Sequence, residues 1–342
     1  MLHALRAHVF SFAVLAASLA AAPCAAQGVA DFYKGKTIAI LMGTGPGGSY
    51  DLYGRTIAEH LGRHIPGNPN VIIEHMPGAG GVIAGNHLYG PGPQDGTKIL
   101  LSHSIPLAEK LEPKGVRFES TKLQWLGTYD AIAHTMAIWH GAEVDTLDAL
   151  KTKPLIIGSF SRSHLTYQWP AMMKHVLGTN YQVITGYRSG SDLNLAMERG
   201  EVHGWAASWE NLAGTRPQWL TEKKVSVLVS FTFERKKQIP DVPTLLELAP
   251  PGQKDIVEFV TAGTPFGRAM TVGPGVPADR VAALRKAFDD VMKDPAFLAE
   301  AAKRNLDIDP RPAAYPHALA DKLASASPEL VAKVKRAIGQ TE

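Results

Sequence analysis

Gly43, Gly45 and Gly48 lie in the stretch GTGPGGSYD (Gly43–Asp51), directly after the apolar run Ile38–Leu41. A strand, a glycine-rich turn and a helix N-terminus together make an anion site. Unpaired backbone N–H groups point outward, the helix dipole favours negative charge, and glycine lets the chain approach a ligand closely. The spacing G-x-G-x-x-G is that of dinucleotide-binding turns, and Glu74, ending the next apolar run, stands near where a ribose-binding acid would sit. Two features favour a different anion. Asp51, three residues past Gly48, puts a negative charge in the first helical turn, where a pyrophosphate would meet it. A second glycine loop, Pro77-Gly78-Ala79-Gly80-Gly81, follows the second strand, where a dinucleotide fold does not require one. The carboxylate of a small metabolite is therefore the expected occupant, and no cofactor is expected.

Other residues stand where they can line a cleft. Ser159, Ser161, Ser163 and His164 follow one strand and precede a helix, and helix capping is the alternative use of such side chains. Ser102, His103 and Ser104 end a strand, where open α/β sheets place ligands; His103 is there a cleft residue or a solvated loop histidine. Arg188 has the planar fork that grips a carboxylate, or is a solvated surface arginine. Trp205 and Trp209 flank Ser208 and either pack on a ligand's carbon skeleton or fill the core. His60 and His64 have a spacing used for zinc, but no HExxH motif or nearby cysteine accompanies them, and no metal is expected. No G-x-S-x-G elbow occurs. A secreted α/β hydrolase stays open as the enzyme alternative, since fold and export alone do not exclude it.

These residues need elements to hold them. Thr37–Met42, Val71–Glu74 and Thr97–Ser102 read as strands, with helices over Leu52–His64 and Val82–Tyr89 between them. This β-α-β-α-β order implies a parallel sheet with helices on its faces. A second α/β unit follows: strands at Leu155–Gly158, Tyr181–Ile184, Val202–Ala207 and Val225–Phe231, helices at Thr166–Val176 and Leu193–Arg199. Gln124–Tyr129 and Met136–Trp139 are short β-like runs where the chain can cross between units. Pro277–Lys293 has helical spacing, Asp294 caps a further helix beginning at Pro295, and another starts near Ala313; all three are expected to pack on the first unit.

The compartment is set by the start of the chain. Met1–His8 carries a single formal positive charge, Arg6; Val9–Ala22 is apolar or small; Pro23–Gln27 has a small-residue cleavage region. This is the order of a secretory signal peptide, cleaved near Ala26, and it places the protein in the periplasm, where a nicotinamide cofactor is scarce. Cys24 is the single cysteine, so no internal disulfide is possible. Lys and Arg number 35 against 32 Asp and Glu. With this near balance and no basic stripe, a nucleic-acid partner is excluded.

The order GPGGSYDLYGR (Gly45–Arg55), IPGNPNVIIEHMPGAGG (Ile65–Gly81) and DGTKIL (Asp95–Leu100) resembles the substrate-binding receptors of tripartite tricarboxylate transporters, the Bug family. The resemblance continues through GYRSGSDLNLAMERGEVHG (Gly186–Gly204) and IPDVPTLLELA (Ile239–Ala249), and is nearest to the branch with an I-P-G-N-P segment. Gly43-Thr44-Gly45 and His203 depart from the commoner pattern. The resemblance implies a two-lobed α/β periplasmic binding protein, each lobe a mostly parallel sheet flanked by helices, with the ligand cleft between lobes. Residues 1–26 would be the leader, 27–128 plus 255–342 one lobe, and 129–254 the other. Thr44, Gly47, Gly48, Ser49 and Asp51 would face Arg188, Ser189, Gly190, Ser191 and Asn194 across one ligand carboxylate, with Asp51 capping its helix or ordering the loop. His103, Ser104, Ser159, Ser161 and Trp209 complete the expected site. The partners would be a small carboxylate ligand and membrane transporter subunits, and the receptor a monomer.

Overall fold

The computed structural model describes residues 22–340. After helix α1 (Ala22–Tyr33), the chain runs through β1 (Thr37–Met42), α2 (Gly48–Leu61), β2 (Asn70–His75), α3 (Val82–Tyr89), β3 (Lys98–Leu101), α4 (Ile105–Leu111) and β4 (Gln124–Thr128). It then enters a second unit: β5 (His134–Trp139), α5 (Leu147–Thr152), β6 (Leu155–Ser159), α6 (Leu165–Leu177), β7 (Tyr181–Thr185), α7 (Gly190–Glu198), β8 (Gly204–Ser208), α8 (Trp209–Thr215), α9 (Pro217–Thr221) and β9 (Val225–Ser230). The remainder is α10 (Leu245–Leu248), α11 (Lys254–Thr261), β10 (Ala269–Val272), α12 (Ala278–Val291), α13 (Pro295–Lys303), β11 (Arg311–Pro312), α14 (Ala314–Ala324) and α15 (Pro328–Ala337). The predicted signal peptide falls largely outside the described residues.

Two sheets result, in the orders β11-β4-β10-β3-β1-β2 and β7-β6-β8-β5-β9. The α/β units pair in parallel as their alternation requires: β1 with β2 and β3, β6 with β7 and β8. Both sheets are nevertheless mixed rather than mostly parallel. Strands at the crossings run the other way, β10 antiparallel to β3 and β4, and β5 antiparallel to β8 and β9. The reason is the path of the chain, which leaves the first sheet through β4, enters the second through β5, and returns to β10 after β9. The crossings at 129–133 and 264–268 lie side by side, with Tyr129 N–H donating to Arg268 O (3.3 Å) and Ile132 N–H to Thr264 O (3.2 Å).

β1 sits between parallel neighbours and has all residues after Thr37 buried, which explains its unbroken apolar sequence TIAILM. Asp294 caps α13, its side chain accepting from Ala296 N–H (2.9 Å), with Pro295 at the first helical position. α12 and α13 pack on α2, and α14 on β4, as expected for the C-terminal helices. α15 instead lies against α11, α4 and α6, bridging to the second lobe. One apolar cluster is continuous from Leu100 and Leu107 of the first lobe to Trp169 and Phe231, whose rings stack 4.9 Å apart.

Ile40, fully buried and in register with Ile73 and Ile99, tests how far the first sheet carries the fold. Ile40→Ala is expected to lower unfolding free energy by about 2–5 kcal/mol, read from urea titration.

Candidate functional site

The glycine loop brings the N-terminus of α2 against the second lobe. Its N-cap is Gly47 (φ 84°), with no side-chain cap, and Gly48 also has positive φ (77°). Opposite stands the N-terminus of α7, capped by Ser189, whose hydroxyl accepts from Asp192 N–H (3.1 Å). A Cβ added to Gly48 would lie 3.2 Å from the Gly190 backbone, and one on Gly47 would collide with Ser191 Oγ. Glycine is required at both positions by this approach as well as by φ. Two bonds join the lobes here: Gly45 N–H donates to Arg188 O (2.9 Å), and the Ser49 and Ser208 hydroxyls are 3.0 Å apart.

Asp51 is turned onto its own loop. Its Oδ2 accepts from Gly47 N–H (3.0 Å) and Arg55 Nε (2.9 Å), while Oδ1 lies 3.1 Å from His75 Nε2. The other nitrogen of His75 is 2.8 Å from Thr44 O, so one acid and one histidine hold both ends of the turn.

Between the lobes lie two adjoining cavities that share Thr44 and Phe160. The inner one is walled by Thr44, Ser49, Tyr50, His134, Trp205, Ser208 and Asn211 and is contracted to the room of about one water molecule. The outer one, about 200 Å³, lies between the Pro77–Gly80 loop and Ser161, Gly186 and Arg188. Five buried polar atoms of the inner wall have no partner: Thr44 Oγ1, Tyr50 Oη, His134 Nδ1, Trp205 Nε1 and Asn211 Nδ2. Four of these carry a hydrogen to donate. Buried donors without acceptors are costly, and a group with only acceptors fits them.

Behind this wall, the Tyr50 ring packs on His103 (centroids 4.0 Å), with His164 5.6 Å from His103 and 6.4 Å from His134. Burial keeps all three imidazoles neutral: that of His164 is pushed down to about 3, and those of His103 and His134 lie well below the usual histidine range. Arg268 is fully buried between the Tyr50 and Tyr53 rings (4.7 and 4.1 Å), and its Nη2 donates to Ser49 Oγ (3.2 Å). Its charge faces Glu210 at 3.9 Å; Glu210 lies 3.4 Å from Lys236, which pairs with Asp307 at 2.5 Å. Burial, then the Glu210 carboxylate, raise Asp130 well above the usual carboxylate range.

The structure thus brings Thr44, Gly47, Gly48, Ser49 and Gly190 to the inner cavity, and Ser161 and Arg188 to the outer one. Asn194 stands one step back, its Nδ2 donating to Asn211 Oδ1 (3.0 Å). Ser104 and Ser159 donate to the Gly263 and Ile184 carbonyls instead (2.8 and 3.1 Å). His103 is buried behind Tyr50, against Gly43 and Gly81, and is not a solvated histidine. The tryptophan on the wall is Trp205, whereas Trp209 opens α8 outside both cavity walls. Glu74 pairs with Lys98. His64 bonds Asp294 (2.8 Å), and His60 bonds Arg63 (2.6 Å). Tyr50, His134, Asn211 and Arg268 were not among the sequence candidates; Tyr50 alone carried a signal, standing inside the glycine loop's own helix.

Fold and cleft define a two-lobed α/β protein of the periplasmic binding type. No family model matches the chain. It is homologous to the Bug and UPF0065 proteins: a UPF0065 protein of the gbd 5′ region of Cupriavidus necator is 27% identical over 325 residues, 88% of this chain and 89% of the relative. BugT of Bordetella pertussis is 28% identical over 256 residues, 70% of this chain and 74% of BugT. Among solved structures, the periplasmic binding protein BugD superposes with a TM-score of 0.71 at 19% identity, covering 89% of this chain and 98% of BugD. MatC of Rhodopseudomonas palustris, with bound malate, gives 0.67 at 18% identity over 89% and 99%.

The neutral histidines fix a pH dependence. The unfolded chain binds protons at these sites below about pH 6.5 and the folded chain does not. Their contribution to stability is full above that pH and declines as pH falls below it, for His164 down to about 3. The melting temperature is expected to drop between about pH 7.5 and 5. His164→Asn, which keeps a capping side chain for α6 but does not titrate, should shrink that drop.

Proposed function

We propose that this protein is an exported receptor that closes two lobes over a small carboxylate and delivers it to a tripartite tricarboxylate-type membrane transporter, making and breaking no bond. The observation that carries this reading is the inner cavity, where an uncapped helix N-terminus and four unpartnered donors meet across the lobes with no anion of the chain among them. A carboxylate supplies acceptors to both lobes at once and so favours the closed state. The relatives support the reading, MatC with its malate among them, as does the leader-like start of the chain. The crossings at 129–133 and 264–268 are the proposed hinge; they put the first lobe at residues 27–128 plus 269–342 and the second at 134–263, so the expected boundary at 254/255 moves to the second crossing. A dinucleotide reading has lost its ribose acid, because Glu74 is engaged by Lys98.

Thermal melts in the presence of small carboxylates, sugars, amino acids and nicotinamide cofactors test this. A ligand at about 100 times its Kd stabilises by about 2.7 kcal/mol, a visible shift. A carboxylate hit without turnover is expected, and a cofactor hit alone would sink the proposal. Ser191→Asp, placing a negative charge beside Gly47, should weaken the hit by at least about tenfold while leaving the fold intact. Ser49→Asp applies the same test from the other lobe.

A further inference from the structure

Resting on that reading, we infer that Arg268 is a positioning residue for the anion: from behind the cavity wall it makes Ser49 donate to Ser208 and so leaves the Ser208 O–H to the captured carboxylate. Arg268 lines neither cavity. It stands on the second crossing and is held by the first turns of α2, its guanidinium between the Tyr50 and Tyr53 rings and its Nη2 donating to Ser49 Oγ (3.2 Å). Ser49 Oγ meets Ser208 Oγ at 3.0 Å, and Ser208 Oγ accepts from Asn211 N–H at 3.1 Å. Both serines line the inner cavity, and they come from different lobes. The chain of bonds is therefore complete only when the lobes meet.

A guanidinium has donors only, and a serine hydroxyl has one hydrogen and two lone pairs. Arg268 takes one lone pair of Ser49, and Asn211 N–H takes one of Ser208. The bond between the two serines uses a single hydrogen, so one hydroxyl hydrogen of the pair is left over. A hydrogen bond received from a cation polarises the hydroxyl that accepts it and makes that hydroxyl the better donor. Ser49 is the hydroxyl so placed, and the bond runs from Ser49 to Ser208. Ser208 then accepts twice, its lone pairs are filled, and its own hydrogen faces the cavity. The room there, about that of one water molecule, fits one acceptor oxygen. Without Arg268 nothing fixes the direction of the serine pair or strengthens the donor that it offers.

Calorimetric titration with acetate, malate and adipate tests this on a cycle of variants: Ser49→Ala, the charge-neutral pair Arg268→Gln with Glu210→Gln, and all three substitutions together. The neutral pair is expected to weaken whichever of these acids binds the wild-type protein by about tenfold, the loss of one hydrogen bond to a charged group. On the Ser49→Ala background it should cost no more than about twofold, because the link through which Arg268 acts is already gone. A purely structural arginine would lower the melting temperature with affinity unchanged, or lower affinity equally in both backgrounds. Either result would overturn the inference and leave the carboxylate receptor standing. If the neutral pair does not fold, Arg268→Lys, which keeps the charge beside Glu210 without the planar fork, takes its place in the cycle. A loss of about threefold is then expected, absent on Ser49→Ala, and equal effects in the two backgrounds would again overturn the inference. Failure of all three acids to bind the wild-type protein would overturn both readings.

Discussion

Two helix N-termini from different lobes abut at Gly48 and Gly190, and the rest of the cleft is arranged around that contact. The positive ends of two helix dipoles repel when nothing negative lies between them. In this closed arrangement the approach is offset by the Gly45–Arg188 backbone bond and the Ser49–Ser208 hydroxyl pair. It is possible only because residues 47, 48 and 190 have no side chain. An anion held beside this contact, against the inner cavity, would turn repulsion between the lobes into attraction to a shared charge. A ligand shifts a conformational equilibrium only through its differential interaction with the two states, and an anion at this junction is in contact with both lobes only when they are closed.

The buried charges behind the cleft serve the same junction. Arg268 comes from the crossing back into the first lobe and Glu210 from α8 of the second, with Lys236 and Asp307 continuing the alternation of sign. The four formal charges balance, so the network adds no net charge behind the cavity. Its point of contact with the cleft is Ser49: the guanidinium donates to Ser49 Oγ, and the same oxygen meets Ser208. Removal of one member of such a buried set leaves a partner charge unpaired, a cost well above that of losing an exposed ion pair.

How much of this was legible in the sequence follows from how local each pattern is. The β-α-β-α-β order of the first lobe and the strands and helices of the second are written in short apolar runs and turn residues, and the helix Val82–Tyr89 is found where its sequence places it. The mixed sheets were not legible, because β10 pairs with β3 and β4 only after the chain has passed through the whole second lobe. The same division holds in the site. The glycine loop and the α7 start are local signatures; Ser49 and Arg268, 219 residues apart, are joined by tertiary packing that no spacing rule encodes. Tyr50 stands inside the glycine loop's own helix, but its free hydroxyl on the cavity wall is visible only once Thr44, His134 and Asn211 are assembled around it.

Asp51 is the residue that shapes the glycine loop. Its position in the first turn of α2 opposes a negative ligand, yet its carboxylate is answered by Arg55, His75 and the Gly47 N–H. Those contacts shape the turn before any ligand arrives, so a ligand spends less of its binding energy on ordering the loop. They also consume the Gly47 donor, leaving the N–H groups that follow it in α2 facing the inner cavity. A diphosphate spread along the loop would meet the Asp51 carboxylate in the first turn of α2. The same acid that holds the loop in shape thus also puts a negative charge where a diphosphate would lie.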